Sequence, residues 1–243
     1  MSTRVVLLTV LFVLVAVPAA QAKPSARALV SSCERGLEEA DRSAEFEGQM
    51  RRVAGASRMQ MRFTLQARTP DTGKWSGLTA PGFGSWVGSA AGTSRYVYTK
   101  RIEDLLAPAS YRVLVRFRWL DSGGDIIQRA KDYSSTCRQP DLRPNLVVRS
   151  IGVQPAERPA RRRYVVFVRN AGGSLADASS LLVTVNGAPL PQAPVAELEP
   201  GEGVLVTVEG PACGAGTRVA AGADAEDALD ERDESDNELT RPC

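Results

Sequence analysis

The chain has 243 residues, with 30 Lys and Arg against 28 Asp and Glu and a formal net charge of +2. So small an excess gives no reason to expect nucleic acid or an anionic membrane as a partner. Histidine is absent, which removes Ser-His-Asp and Cys-His machinery, imidazole-ligated zinc and the commonest acid–base group near neutral pH.

The chain opens with Arg4, an apolar run from Val5 to Val17 and the ending Ala20-Gln21-Ala22. A charged start, about 13 apolar residues and a small-x-small ending predict a secretory signal peptide over residues 1–22. A spanning helix needs about 20 apolar residues, and Pro18 interrupts the run first. No cysteine follows the cleavage position and no second apolar span appears, so no stable membrane anchor is expected. The expected destination is secreted or otherwise extracytoplasmic, at the cell surface or in the periplasm. The cysteines are Cys33, Cys137, Cys213 and Cys243. An even count in an exported chain predicts disulfides, with three connectivities open. Cys33–Cys137 with Cys213–Cys243 is favoured because each pair then lies within one predicted domain.

Residues 23–138 show strand patterns and no convincing helix. In Tyr111–Leu120, Val113, Val115, Phe117 and Trp119 alternate with Arg112, Leu114, Arg116 and Arg118. One apolar face against a largely arginine face predicts a half-buried antiparallel strand. Met59–Arg68 and Arg95–Ile102 read as further strands, with Met61, Phe63 and Leu65 facing the same core. Asp121–Asp125 reads as a hairpin turn leading into a strand from Ile126. Residues 34–50 are expected to hold a short helix or turn before another strand. The segment Leu105-Leu106-Ala107-Pro108-Ala109-Ser110-Tyr111 resembles the corner before strand F of fibronectin type III domains, which implies a tyrosine hydroxyl bonded back to upstream backbone. Between these strands, residues 75–91 form a Gly-rich irregular stretch carrying Trp75, Phe83 and Trp86. These rings are the candidate ligand-binding residues; the competing reading folds them inward to cap the sandwich.

Residues 139–144 hold two prolines and read as a stiff linker. Beyond it, strands are predicted at Leu146–Val153, Tyr164–Val168, Ser180–Val185, Val204–Val208 and Val219–Gly222, with Asn186-Gly187 as a hairpin turn. Such spacing is that of a seven-strand sandwich over residues 145–243. Arg158 and Arg161–Arg163 form a basic cluster that reads as a solvated loop, with an acid-patch partner or an anion as alternatives. The order Pro144-Asn145-Leu146-Val147-Val148, Val166–Gly172, Val183–Gly187, Leu198–Glu202 and Asp230–Glu238 resembles the bacterial CARDB family over residues 141–243. Glu231, Glu234 and Asn237 sit where that family closes on E-x-x-E-x-N-N, with Glu238 in place of the last asparagine. The resemblance implies an immunoglobulin-like, extracellular, non-catalytic interaction module.

The closing acidic segment contains Asp224, Asp227, Asp230, Asp233 and Asp236, a candidate calcium set. The plainer reading is a solvated acidic turn between the last two strands. The expected architecture is all-β: two tandem immunoglobulin-like β-sandwich domains after a signal peptide. The expected function is non-catalytic binding or adhesion to a polysaccharide or protein of the cell envelope, with no cofactor apart from candidate calcium. A secreted carbohydrate-active enzyme or inhibitor using residues 75–91, and a structural spacer, are the alternatives. Glu103 and Asp104 are adjacent, which suits opposite strand faces rather than a catalytic dyad.

Overall fold

A computed structural model describes residues 26–243, so the predicted leader lies outside the described residues. The first half contains β1 (Ala26–Glu34), β2 (Ser43–Arg51), β3 (Arg58–Arg68), β4 (Ser76–Gly77), β5 (Trp86–Gly88), β6 (Arg95–Ile102), β7 (Ala109–Leu120), β8 (Ile126–Tyr133) and β9 (Cys137–Gln139). One antiparallel sheet runs β1-β2-β6; the other runs β4-β3-β7-β8, with β5 also on β3 and β9 also on β7. The turn before β2 is a short 3-10 helix, Glu39–Asp41.

The period-2 pattern decides which faces meet. Met59, Met61, Phe63 and Leu65 of β3 and Val113, Val115, Phe117 and Trp119 of β7 all point into one core with Phe46 and Met50 of β2. Trp119 is completely buried, and its indole N–H donates to the Arg51 carbonyl at 2.7 Å, so the ring enters the core without an orphaned donor. Gly48 makes room opposite: a Cβ there would lie 2.5 Å from Met61 Sδ and 2.9 Å from a Phe63 ring carbon. The Tyr111 hydroxyl donates to the Leu106 carbonyl at 3.0 Å, tying the start of β7 to the preceding turn. At the other end of β7, Asp121 Oδ1 accepts from the Gly123 and Asp125 amides and closes the hairpin to β8.

The second half contains β10 (Leu146–Pro155), β11 (Arg161–Asn170), β12 (Ser179–Val185), β13 (Ala188–Pro189), β14 (Ala193–Val195), β15 (Gly203–Pro211), β16 (Arg218–Ala223) and β17 (Glu238–Pro242). Sheet β10-β11-β15 faces sheet β13-β12-β16-β17, with β14 also on β12. Leu146, Ile151, Tyr164, Val166, Leu181 and Val219 fill a separate core between them. Asn186 and Gly187 both take positive φ, 51° and 81°, as a two-residue hairpin turn requires.

Two disulfides are present, Cys33–Cys137 with Cα atoms 5.5 Å apart and Cys213–Cys243 at 5.7 Å. The first joins β1 to β9 and the second joins the segment after β15 to the end of β17. One expectation changes. Gln139 closes β9 and is buried, its amide donating to the Glu34 carbonyl at 2.8 Å, so the extended connection begins at Pro140 rather than at residue 139. Residues 75–91 stay largely irregular, with two short strands, β4 and β5, embedded in them. They fold back along the open edge of β3, where Gly77 pairs with Gln66 and Trp86 with Arg62. The Leu78, Gly84 and Ser89 amides donate to the Leu65, Phe63 and Met59 carbonyls. An unpaired strand edge is costly to leave open, and glycines at positive φ (Gly82, Gly84) let the covering segment turn between contacts.

Candidate functional site

The alternation that sends β3 and β7 into the core sends their other residues outward, and antiparallel register lines these up across strands. Trp86 of β5 sits opposite Arg62 of β3, Arg62 opposite Arg116 of β7, and Arg116 opposite Lys131 of β8. The neighbouring row sets Gln60 beside Arg118 and Arg118 beside Arg129. Like charges directly opposite one another destabilise a sheet, yet here cations fill one row across three strands. Among the described residues the ion pairs are Arg101–Glu103, Arg143–Asp141, Arg143–Asp230 and Arg161–Glu209, so no carboxylate neutralises this face.

The guanidinium groups are held in place by neutral partners instead. Arg118 Nε donates to Gln60 Oε1 at 2.6 Å while the Arg118 plane lies 4.0 Å from the Trp86 ring centre. Arg112 Nε donates to Gln66 Oε1 at 2.9 Å, and its guanidinium is flanked by Trp75 at 4.1 Å and Tyr133 at 4.3 Å. Arg116 donates one terminal nitrogen to Thr64 Oγ1 at 3.3 Å. Stacking and the Nε bond consume the inner part of each fork, and the terminal nitrogens of Arg112 and Arg118 keep no protein acceptor among the described residues. Arginine fixed this way is pre-organised for a planar anion. A groove of about 490 Å³ runs along this face between Trp86, Arg116, Arg118, Arg129 and Lys131.

The three ring candidates therefore separate. Phe83 packs against the first core with Ala80 and Val87, which is the capping role. Trp75 and Trp86 lie on the outer face as half-buried partners of arginine. A glycosidase needs two convergent carboxylates beside its substrate, and the groove at Trp86 offers guanidinium and ammonium groups. Glu103 is engaged with Arg101 at 3.0 Å on the exposed surface.

The five aspartates of the closing segment do not come together as one set, and no group of three His, Cys, Asp or Glu among the described residues is placed to hold a metal ion. Each serves its own stretch of backbone or its own partner. Asp224 Oδ2 accepts from the Leu229 amide at 2.8 Å, and Asp233 Oδ1 accepts from the Ser235 hydroxyl at 2.6 Å and the Ser235 amide at 3.0 Å, which together hold the Asp233 carboxyl below its ordinary value. Asp230 bonds Arg143 at 2.6 Å, Asp236 accepts from Asn145 Nδ2 at 3.0 Å, and Asp227 takes a left-handed turn with φ 52°. Arg143 also grips Asp141 at 2.8 Å, and this hydrogen bond holds the Asp141 carboxyl below its usual range. In the basic cluster, Arg161 pairs with Glu209 at 3.7 Å, its neighbour on β15 rather than the acidic segment.

The most buried acid of this end is Glu231, 2% exposed, with Asp224 also buried. Its Oε2 accepts the Leu146 amide and its Oε1 accepts Asn237 Nδ2 at 3.1 Å; Asn237 also donates to Glu234 at 3.0 Å. Fully buried Asn170 completes the arrangement. Its Oδ1 accepts from the Asn145 and Gly172 amides, and its Nδ2 donates to the Ser174 and Leu198 carbonyls at 2.8 and 2.9 Å. Gly172 follows because a Cβ there would lie 2.5 Å from the Arg143 oxygen and Pro144 backbone. Asn145, Asn170, Gly172, Glu231, Glu234 and Asn237 thus fasten the start of β10, the end of β11 and the segment before β17 to one another.

Burial pushes the Glu231 carboxyl up to about 7, the nearby Glu234 and Asp224 adding to the rise while the Leu146 and Asn237 bonds oppose it. The folded state therefore holds this proton more tightly than the unfolded chain. Its contribution is complete below about pH 4.5 and is lost as pH rises to about 7, a change on the order of 3 kcal/mol. Calorimetric melting of the full chain should show the second sandwich losing stability across that window, with Glu231→Gln flattening most of the slope. An unchanged slope in the variant would place the titration elsewhere.

The fold is that of a chain with two immunoglobulin-like β-sandwiches in tandem. Residues 139–241, which make up the second sandwich, match the CARDB family. Among solved structures, the chain is similar to a CARDB domain from Pyrococcus furiosus solved in complex with di-metal ions, at 26% identity over 41% of this chain and 90% of that one, with a TM-score of 0.35. It is also similar to the exo-chitosanase CsxA of Amycolatopsis orientalis, at 13% identity over 82% of this chain and 25% of the enzyme, with a TM-score of 0.29. The class 5 fimbriae chaperone CfaA is 9% identical over 88% of this chain and 97% of the chaperone, with a TM-score of 0.27. No match was found among curated proteins. The CARDB match suggests a cell-adhesion-related role. No helix among the described residues is long and apolar enough to cross a membrane.

Proposed function

We propose that the chain is an exported, non-catalytic binding protein that recognises a polysaccharide or protein of the cell envelope. The observation that carries this reading is the outer face of the first sandwich, where arginines are oriented by Gln60, Gln66, Trp75 and Trp86 and left without carboxylate partners. A sheet accepts such like-charge rows at a cost to its own stability, which fits a face kept for an external anion. Two disulfides fit an oxidising compartment, and the CARDB match fits an adhesion role.

The test is sedimentation of the purified mature protein with isolated cell envelope. Wild type is expected to be retained, and Trp75→Ala with Trp86→Ala to weaken retention by at least about tenfold, since a stacked guanidinium loses about 1–2 kcal/mol of support with each ring. Retention indifferent to both substitutions, in variants that melt as wild type does, would move recognition away from this face.

A further inference from the structure

We infer that the outer face of the β5-β3-β7-β8 sheet is a docking surface for an acidic polysaccharide, a linear chain bearing carboxylates at regular intervals. This rests on the binding role proposed above and adds the ligand class. Three observations lead to it. The row Trp86, Arg62, Arg116, Lys131 crosses four strands in register, so its cations are spaced by the strand separation of about 4.8 Å. A ligand complementary to that row repeats its charge along a line, as an extended chain of acidic sugars does and as an isolated small anion does not.

The second observation is how the groups are presented. Arg118 and Arg112 are bonded at Nε and stacked on rings, leaving their terminal nitrogens directed away from the glutamine partners. Carboxylate oxygens match that pair of nitrogens in a planar, bidentate manner. Arg62 Nε adds an enclosed donor with no partner. The third observation is what the aromatic groups are already doing. Trp75, Trp86 and Tyr133 are occupied in holding guanidinium planes at 4.0 to 4.3 Å. Recognition of single-stranded nucleic acid instead relies on rings free to stack on successive bases.

The experiment titrates the full mature chain with four probes: alginate, dextran sulfate, uncharged dextran and an oligothymidylate. Alginate is expected to bind, to weaken steeply with added salt, and to outcompete the oligothymidylate, while dextran does not bind. Arg116→Gln with Arg118→Gln should weaken alginate binding by at least about tenfold, because each lost charge-assisted bond is worth about that factor or more. The exposed pair Arg129→Gln and Lys131→Gln supplies a second variant in which no buried contact is disturbed. Unaltered affinity in both variants would overturn the inference, as would dextran binding as well as alginate. Preference for the oligothymidylate would mark a nucleic-acid surface, and dextran sulfate alone would mark a sulfated ligand; either overturns the carboxylate assignment. Retention on envelope without alginate binding leaves the binding role standing and the ligand class wrong. Absence of both removes both.

Discussion

Asn170→Ala is expected to lower the unfolding free energy of the second sandwich by about 4 kcal/mol, well above the usual cost of a point substitution. The side chain is fully buried and serves four backbone groups at once: the Asn145 and Gly172 amides and the Ser174 and Leu198 carbonyls. Truncation orphans the Asn145 and Gly172 amides and the Ser174 carbonyl, while the Leu198 carbonyl keeps the Ala176 amide, and each buried orphan costs about 1–3 kcal/mol before water relieves part of it. Asn170→Asp keeps the acceptor but turns a carboxyl oxygen toward the Ser174 and Leu198 carbonyls in a fully buried site, so it should cost at least as much as alanine. Denaturant midpoints of the full chain give the measurement. A loss under about 1 kcal/mol in the alanine variant would show that the network decorates the sandwich without holding it.

Removing the Cys33–Cys137 bridge is expected to cost the first sandwich about 4.7 kcal/mol, because it closes a separation of 104 residues in the unfolded chain. Cys213–Cys243 spans 30 residues and should cost the second sandwich about 3.6 kcal/mol. Paired alanine substitutions are the cleaner test, since reduction would leave two thiols in place, one of them on fully buried Cys137. The two variants should each lower one calorimetric transition and leave the other in place. If each pair shifted both transitions equally, the two sandwiches would be unfolding as one unit and the separate assignment would fail.

Much of the fold was legible because strand burial writes itself into local alternation. Val113, Val115, Phe117 and Trp119 announce a core face whatever the rest of the chain does. The outer face was legible only in part: the arginines of Tyr111–Leu120 and the rings Trp75 and Trp86 stand out singly, but their meeting does not. Arg62, Arg116, Arg118 and Arg129 each look like an ordinary solvated position on a half-buried strand. They become a cationic row only through the pairing of β3 with β7 and of β7 with β8, and that register depends on turns and packing far away in sequence. In the acidic segment the aspartates are close in sequence, which invites a shared ion as the alternative to a solvated turn; folded, Asp224 and Asp233 accept from nearby amides and Asp230 pairs with Arg143. Glu231 became the most buried acid because the segment folds back onto the Leu146 amide, a contact across 85 residues that no local pattern records.

The residues that carry the CARDB resemblance have a physical meaning in this light. Asn145, Asn170, Gly172, Glu231 and Asn237 hold three chain segments together in the second sandwich. They account for the shape of that domain, while the arginine and tryptophan face lies on the other sandwich, outside residues 139–241. The residues of the CARDB resemblance and the face proposed for binding thus occupy different halves of the chain.

Where an acidic sugar chain lands can be read residue by residue from backbone amide shifts as the labelled full-length protein is titrated with alginate oligosaccharides. Perturbations are expected to concentrate on Arg62, Trp86, Arg116, Arg118 and Lys131, with the second sandwich unmoved. Shifts gathered on residues 139–241, or none at a saturating concentration, would contradict this placement.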